Sequence, residues 1–158
     1  VKPQTPEGEF RHQVLVVFRS VENRAQLLGA ISAAGMVPRL SDSFEECKRA
    51  LERGEVQAVI CEQCLSTEIL HEVIGGGRSR IAPVPVIVAS RTGEWAEFVS
   101  ALQQGAFDYL ALPPRPVEVR RILSRAIGEA ARPAGHAGDS GEAESGYRCT
   151  RLSRCFVL

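Results

Sequence analysis

The chain has 158 residues, 44% of them hydrophobic and 24% charged, enough apolar material for the core of about one soluble domain. Nineteen Lys and Arg balance nineteen Asp and Glu, so a net charge of zero excludes global attraction to nucleic acid or anionic membranes. No apolar run approaches the roughly 20 residues of a membrane span and no signal-peptide pattern opens the chain, so a cytoplasmic location is expected.

Residues 1–10 read as a flexible N-terminus. The first strand is expected over Gln13–Val17, a solid apolar run ending in Phe18 and Arg19. Ser20 is placed to cap a helix over 21–34, with Leu27, Leu28 and Ile31 at helical spacing and Gly35 as its stop. Residues 36–40 read as a short second strand. Ser43-Phe44-Glu45-Glu46 is a capping-box pattern, in which the serine accepts from an amide of the first turn while the glutamate reaches back. It opens a helix to Arg53, closed by Gly54.

Residues 56–61 form the expected third strand, running into Glu62. A short helix over 67–74 ends at Gly75-Gly76-Gly77. Residues 86–89 make a fully apolar fourth strand ending at Ser90. A helix over 94–104 carries Trp95, Phe98, Val99 and Leu102 on one side, where Trp95 and Phe98 read as core, although a partly exposed Trp95 would mark a binding face. The fifth strand covers 109–111. The fifth helix covers 116–131, with Val119, Ile122, Leu123, Ala126 and Ile127 inward. Pro116 suits that start, because its missing N–H would be unpaired there anyway.

Five apolar strands, each followed by a helix, imply a parallel sheet covered on both faces, a doubly wound α/β domain. The domain is expected over 11–131. Residues 132–158 read as a disordered C-terminal tail: 133–145 are rich in Gly, Ala, Ser and Glu and cannot bury enough surface to order, and 146–158 are basic.

Several stretches together resemble the receiver domain of two-component response regulators. Val14-Leu15-Val16-Val17 stands where that family has its first strand, and Pro85-Val86-Ile87-Val88-Ala89-Ser90 where it has its fourth. Gly105-Ala106-Phe107-Asp108-Tyr109-Leu110-Ala111-Leu112-Pro113 is similar to the family's Gly-Ala-x-x-Tyr-Leu-x-Lys-Pro run and is the most specific of the three. The resemblance implies a flavodoxin-like sheet in the order 2-1-3-4-5. Its candidate site lies at the carboxyl ends of the strands, where ligands gather in such sheets.

Carried across residue by residue, the resemblance places the metal-binding acid pair on Phe18 and Arg19 and the phosphoacceptor on Glu62. The switch residues fall on Ser90 and Tyr109, and the lysine position on Leu112. Aspartyl phosphorylation needs Mg²⁺, and Mg²⁺ needs carboxylate oxygens. Phe18 offers none and Arg19 repels the ion. Glu62 is one methylene longer than aspartate, which displaces its oxygen by about 1 Å, enough for a large rate loss. The expectation is a pseudo-receiver with no catalytic residue, no metal and no cofactor.

Two readings of the degenerate site stand side by side. In one, Arg19 and Glu62 pair bidentately and Ser90 donates to the Glu62 carboxylate, leaving the domain permanently active-like. In the other, Arg19 and Glu62 are solvated residues of a dead site.

The remaining motifs are weaker. Cys61-Glu62-Gln63-Cys64 is a Cys-x-x-Cys at a strand end rather than a helix N-terminus, so core packing for Cys61 is the better account. Five cysteines, an odd number, fit a reduced compartment better than a disulfide framework. Cys155-Phe156-Val157-Leu158 matches a prenylation box, with Cys149 upstream, although a chance ending or short docking tail explains it as well. Gly75-Gly76-Gly77-Arg78 follows a helix and lacks the Lys-Ser/Thr of a phosphate loop. His12, His71 and His136 have no nucleophile or orienting partner nearby in sequence.

The function expected is signalling by protein–protein contact rather than catalysis, with a histidine kinase, an output protein or a second copy as partner. The interaction surface is placed on Glu94, Gln103, Tyr109, Arg115, Glu118 and Arg121. Two alternatives remain open. One is a weakly phosphorylated member of a phosphorelay. The other is a small-molecule domain with an apolar pocket opened at Phe18 and Leu112.

Overall fold

The structure, a computed structural model, describes residues 11–75 and 84–132. The N-terminal ten residues, Gly76, Gly77, Arg78, His136, Cys149 and the Cys155–Leu158 box lie outside the described residues.

Five strands alternate with five helices: β1 (Gln13–Val17), α1 (Val21–Ala33), β2 (Val37–Ser41), α2 (Phe44–Glu52), β3 (Ala58–Glu62), α3 (Ser66–Gly75), β4 (Val86–Ser90), α4 (Trp95–Gln103), β5 (Asp108–Ala111) and α5 (Pro116–Ala130). All neighbouring strands pair in parallel, in the order β2-β1-β3-β4-β5. This is the expected doubly wound sheet. Element ends differ from the sequence reading by one or two residues, and a 3₁₀ turn over Gln63–Leu65 joins β3 to α3.

Strand alternation divides the core into two halves. Val14, Val16, Phe18, Ile60, Ile87, Ala89, Leu110 and Leu112 face α1 and α5, packing on Leu27, Ile31, Val119, Ile122 and Leu123. Leu15, Val17, Val59, Cys61, Val86, Val88 and Tyr109 face the other way, toward Cys47, Ala50, Ile69, Leu70 and Ala101. Residues such as Leu15, Ile60 and Leu123 are fully buried. Each contributes about 1.5–3 kcal/mol relative to exposure.

The capping box is realised with a shift. Ser43 Oγ accepts from the Glu46 amide at 3.2 Å, but the Glu46 carboxylate takes the amide of Asp42 at 3.3 Å, one residue before the cap. Gly35 and Gly54 close α1 and α2 with φ of 80° and 65°, a region that costs most residues a Cβ clash.

Candidate functional site

Four strand ends meet at the carboxyl edge of the sheet, and they fall into two groups. At the β1/β3 end, Val17 pairs with Cys61, which sets Glu62 level with Phe18. Cys61 points into the core and Glu62 is half-exposed, so Glu62 stands at the edge. Its Oε2 accepts from the backbone amides of Arg19 at 2.9 Å and Ser20 at 3.3 Å. The chain turning from β1 into α1 has amides that no helix or ladder uses, and a carboxylate satisfies them. Glutamate's extra methylene supplies the reach.

That geometry corrects the expected bidentate pair. Arg19 meets Glu62 through its main-chain N–H, while its guanidinium is exposed and makes no ion pair among the described residues.

Phe18 and Leu112, the acid and lysine positions of the resemblance, are 4% and 8% exposed and belong to the α1/α5 half of the core. The peptide between Leu112 and Pro113 is cis. The pocket expected at these two residues is therefore filled by their own side chains. A cleft of about 150 Å³ does open beside it, between the ends of β1 and β2 and the start of α3, but Leu112 takes no part. Its walls mix Phe18, Phe44, Leu65 and Ile69 with Arg19, Asp42 and Glu68.

The β4/β5 end is wired differently. Alternation sends Ser90 with Val86 and Val88 toward α4, away from Glu62. Ser90 Oγ donates to Glu97 Oε2 at 2.9 Å and lies 3.0 Å from Thr92 Oγ1. Thr92 Oγ1 donates to the same Glu97 oxygen, and Tyr109 Oη reaches it at 3.2 Å. The donation expected from Ser90 to Glu62 is thus made to Glu97 instead.

Glu97 sits in the first turn of α4, where unpaired amides and the helix dipole favour negative charge. Hydrogen bonds from Thr92 and Ser90, and a lesser one from Tyr109, hold its carboxyl below the ordinary glutamate range against the opposing effect of desolvation.

Tyr109 is 9% exposed, with its ring edge-on to Phe98 at 5.7 Å. It therefore backs the expected interaction surface rather than lining it. Glu94, Gln103, Arg115 and Arg121 are exposed and Glu118 is half-exposed. Trp95, expected in the core, is 56% exposed and stacks at 5.2 Å on Phe98.

One side chain bridges the two ends. Arg91, just past β4, donates from Nη2 to Ser20 Oγ at 3.2 Å and Glu22 Oε2 at 3.1 Å, and the buried Asn23 amide faces the same guanidinium. Sequence reasoning passed over Arg91, Thr92 and Glu97. A hydroxyl pair at a strand end followed by a glutamate in the next first turn is the signal that was present.

The Cys-x-x-Cys is split between two environments. Burial pushes the Cys61 thiol up to about 12, while Cys64 is exposed on the 3₁₀ turn. Among the described residues no three His, Cys, Asp or Glu side chains converge as a metal site, and no helix is long and apolar enough to cross a membrane.

Fold and strand-end geometry together define the class: a five-stranded doubly wound α/β domain with its site at the carboxyl edge. Its particular form is the receiver fold of response regulators. No family model matches the chain. It is 26% identical over 132 residues to the DNA-binding transcriptional regulator NtrC of a Bradyrhizobium strain, covering 84% of this chain and 28% of that protein. The chain spans about a quarter of the length of the NtrC relatives it matches.

Among solved structures, it resembles the receiver domain of a sensor histidine kinase from Pseudomonas aeruginosa, whose active-site cleft holds a magnesium ion. The TM-score is 0.63 at 24% identity, over 75% of this chain and 98% of that one. It also resembles an atypical orphan response regulator described as having a phosphorylation-independent regulatory mechanism, with a TM-score of 0.58 at 18% identity, over 75% and 94%.

Proposed function

We propose that this chain is an atypical receiver module that signals through protein–protein contact and does not use Mg²⁺-dependent aspartyl phosphorylation. The observation that carries the reading is the apolar packing of the acid and lysine positions beside an engaged Glu62. Phe18 and Leu112 are packed into the core at the positions where phosphoryl transfer needs an acid and a lysine, and Glu62 is engaged by two backbone amides. A carboxylate that accepts main-chain hydrogen bonds on one oxygen, beside an uncompensated guanidinium, is a poor magnesium ligand and a poor nucleophile.

The contact surface is placed on α4, β5 and α5, around Glu94, Trp95, Gln103, Arg115, Glu118 and Arg121. Exposed aromatic and arginine side chains are the types that anchor interfaces. The partner is a kinase, an output protein or a second copy of the chain.

Incubation with acetyl phosphate and Mg²⁺, followed by intact-mass measurement, tests the first half of the reading. The expected spectrum contains only the unmodified chain. An acid-labile phosphoryl adduct mapping to Glu62 contradicts it.

A further inference from the structure

The hydroxyls at the β4/β5 end share one acceptor, and it belongs to the protein itself. Ser90 ends β4, Thr92 lies in the following loop and Tyr109 is on β5, yet all three converge on Glu97 Oε2. Each hydroxyl has one proton, so Ser90 and Thr92 both serve Glu97 only when neither donates to the other. An ionised carboxylate, purely an acceptor, is the group such a cluster of donors requires.

Glu97 also lies next to Phe98 and two residues from Trp95, and Phe98 packs edge-on against Tyr109. The hydrogen-bond hub and the Trp95–Phe98–Tyr109 aromatic row thus share one turn of α4. Glu62 is bonded to the amides of the β1–α1 turn, and no hydrogen bond among the described residues joins it to Ser90 or Tyr109.

We propose that Glu97 is a positioning residue that fixes the output end of this domain. By gathering the hydroxyls of Ser90, Thr92 and Tyr109, it holds the tyrosine inward and keeps the exposed Trp95 face in one arrangement, independent of the state of Glu62. The inference rests on the contact-module reading and adds to it the element that sets the module's state. An acceptor built into α4 takes the hydrogen bonds from both switch residues, so nothing at Glu62 is needed to draw them together.

The full chain suits the test, because Trp95 is its single tryptophan and Tyr109 is one of only two tyrosines. Tyrosine-ring NMR and tryptophan emission therefore report on this end with little overlap. Glu97→Gln keeps the shape and removes the charge and one acceptor oxygen. Glu97→Ala removes the hub.

In both variants the Tyr109 ring signal is expected to shift and broaden, the Trp95 emission maximum to move, and the Ser90 and Thr92 amides to shift. Glu62→Gln is expected to leave all of these in place. Thr92→Val is expected to perturb the Tyr109 ring in the native background and to have no effect once Glu97 is alanine.

Unchanged Tyr109 and Trp95 signals in a folded Glu97→Gln protein overturn the proposal, as does a Glu62→Gln variant that moves them equally. Should Glu97→Ala unfold, the isosteric glutamine variant decides alone. None of these readouts involves phosphate, so phosphoryl uptake at Glu62 would defeat the contact-module reading without touching this result.

Discussion

The two ends of the strand edge have been treated oppositely. At β1/β3 the positions a phosphoryl site needs are taken up by packing and backbone contacts: Phe18 is buried and Glu62 is tied to backbone amides, and Leu112, past β5, is buried on the same face of the sheet. At β4/β5 the polar groups remain and are fully engaged, with Ser90, Thr92 and Tyr109 all turned to Glu97. Under the proposed reading, the first end has become packing while the second keeps its hydrogen bonds and draws them from within the domain. The contrast teaches that hydroxyls at a strand edge can find their acceptor on a neighbouring helix when the strand-end carboxylate is engaged elsewhere.

The sharpest way to break this contrast is to put charge back into the sealed end. Phe18→Asp removes a buried ring and buries a carboxylate in its place. It is expected to cost at least the about 3–5 kcal/mol of a Phe truncation, read by urea denaturation. A loss below about 1 kcal/mol would mean that Phe18 is not core and that the end is open. Leu112→Ala follows, with an expected loss of about 2–5 kcal/mol, toward the lower end because the side chain is not wholly enclosed. If Leu112→Lys instead gave Mg²⁺-dependent phosphorylation with native stability, the sealed end would be a latent site rather than packing.

Arg91→Ala probes the link between the ends. Its ion pair with Glu22 is exposed on both sides, so the loss is expected to stay under about 1 kcal/mol and to shrink further in salt. A larger, salt-insensitive loss would locate the effect in the buried Asn23 amide.

The smallest expected effect is one of pH. Glu97 has its carboxyl lowered below the ordinary value of 4.5 by the three hydroxyl donors. Its hydrogen bonds therefore stabilise the fold above that value, and the contribution is lost as pH falls through the folded-state pKa. The stability difference between the native protein and Glu97→Gln should narrow on acidification below the ordinary glutamate range. A difference that stays constant through that range would show that the charge is not what the hydroxyls bind.

Much of this architecture was legible in the sequence, for a physical reason. Apolar runs such as Val14–Val17 and Val86–Ala89 have strand length, and the glycines after α1 and α2 mark stops that backbone sterics enforce, so the doubly wound order followed. The site was legible only by position. Glu62 and Ser90 end β3 and β4, Leu112 follows β5 and Tyr109 lies within it, but which group meets which is decided by alternation and by reach.

Ser90 turns to α4 because it shares a face with Val86 and Val88, and Glu62 turns to the β1–α1 amides because they are unpaired. Glu97 escaped notice because its three donors come from a strand end, a loop and another strand. Ser90 and Thr92 stand near it in sequence, but Tyr109 comes from the next strand. Trp95 was misplaced for the opposite reason: helical spacing put it with Phe98, but as the first residue of α4 it lies largely exposed.

The most direct test of the account is an amide NMR titration of the full chain with Mg²⁺ and then beryllofluoride, a stable phosphoryl mimic. The account requires the resonances of Ser90, Thr92, Glu97 and Tyr109 to stay where they are throughout. Saturable, Mg²⁺-dependent shifts spreading from Glu62 to Tyr109 would contradict it and return this chain to the phosphorylated switches.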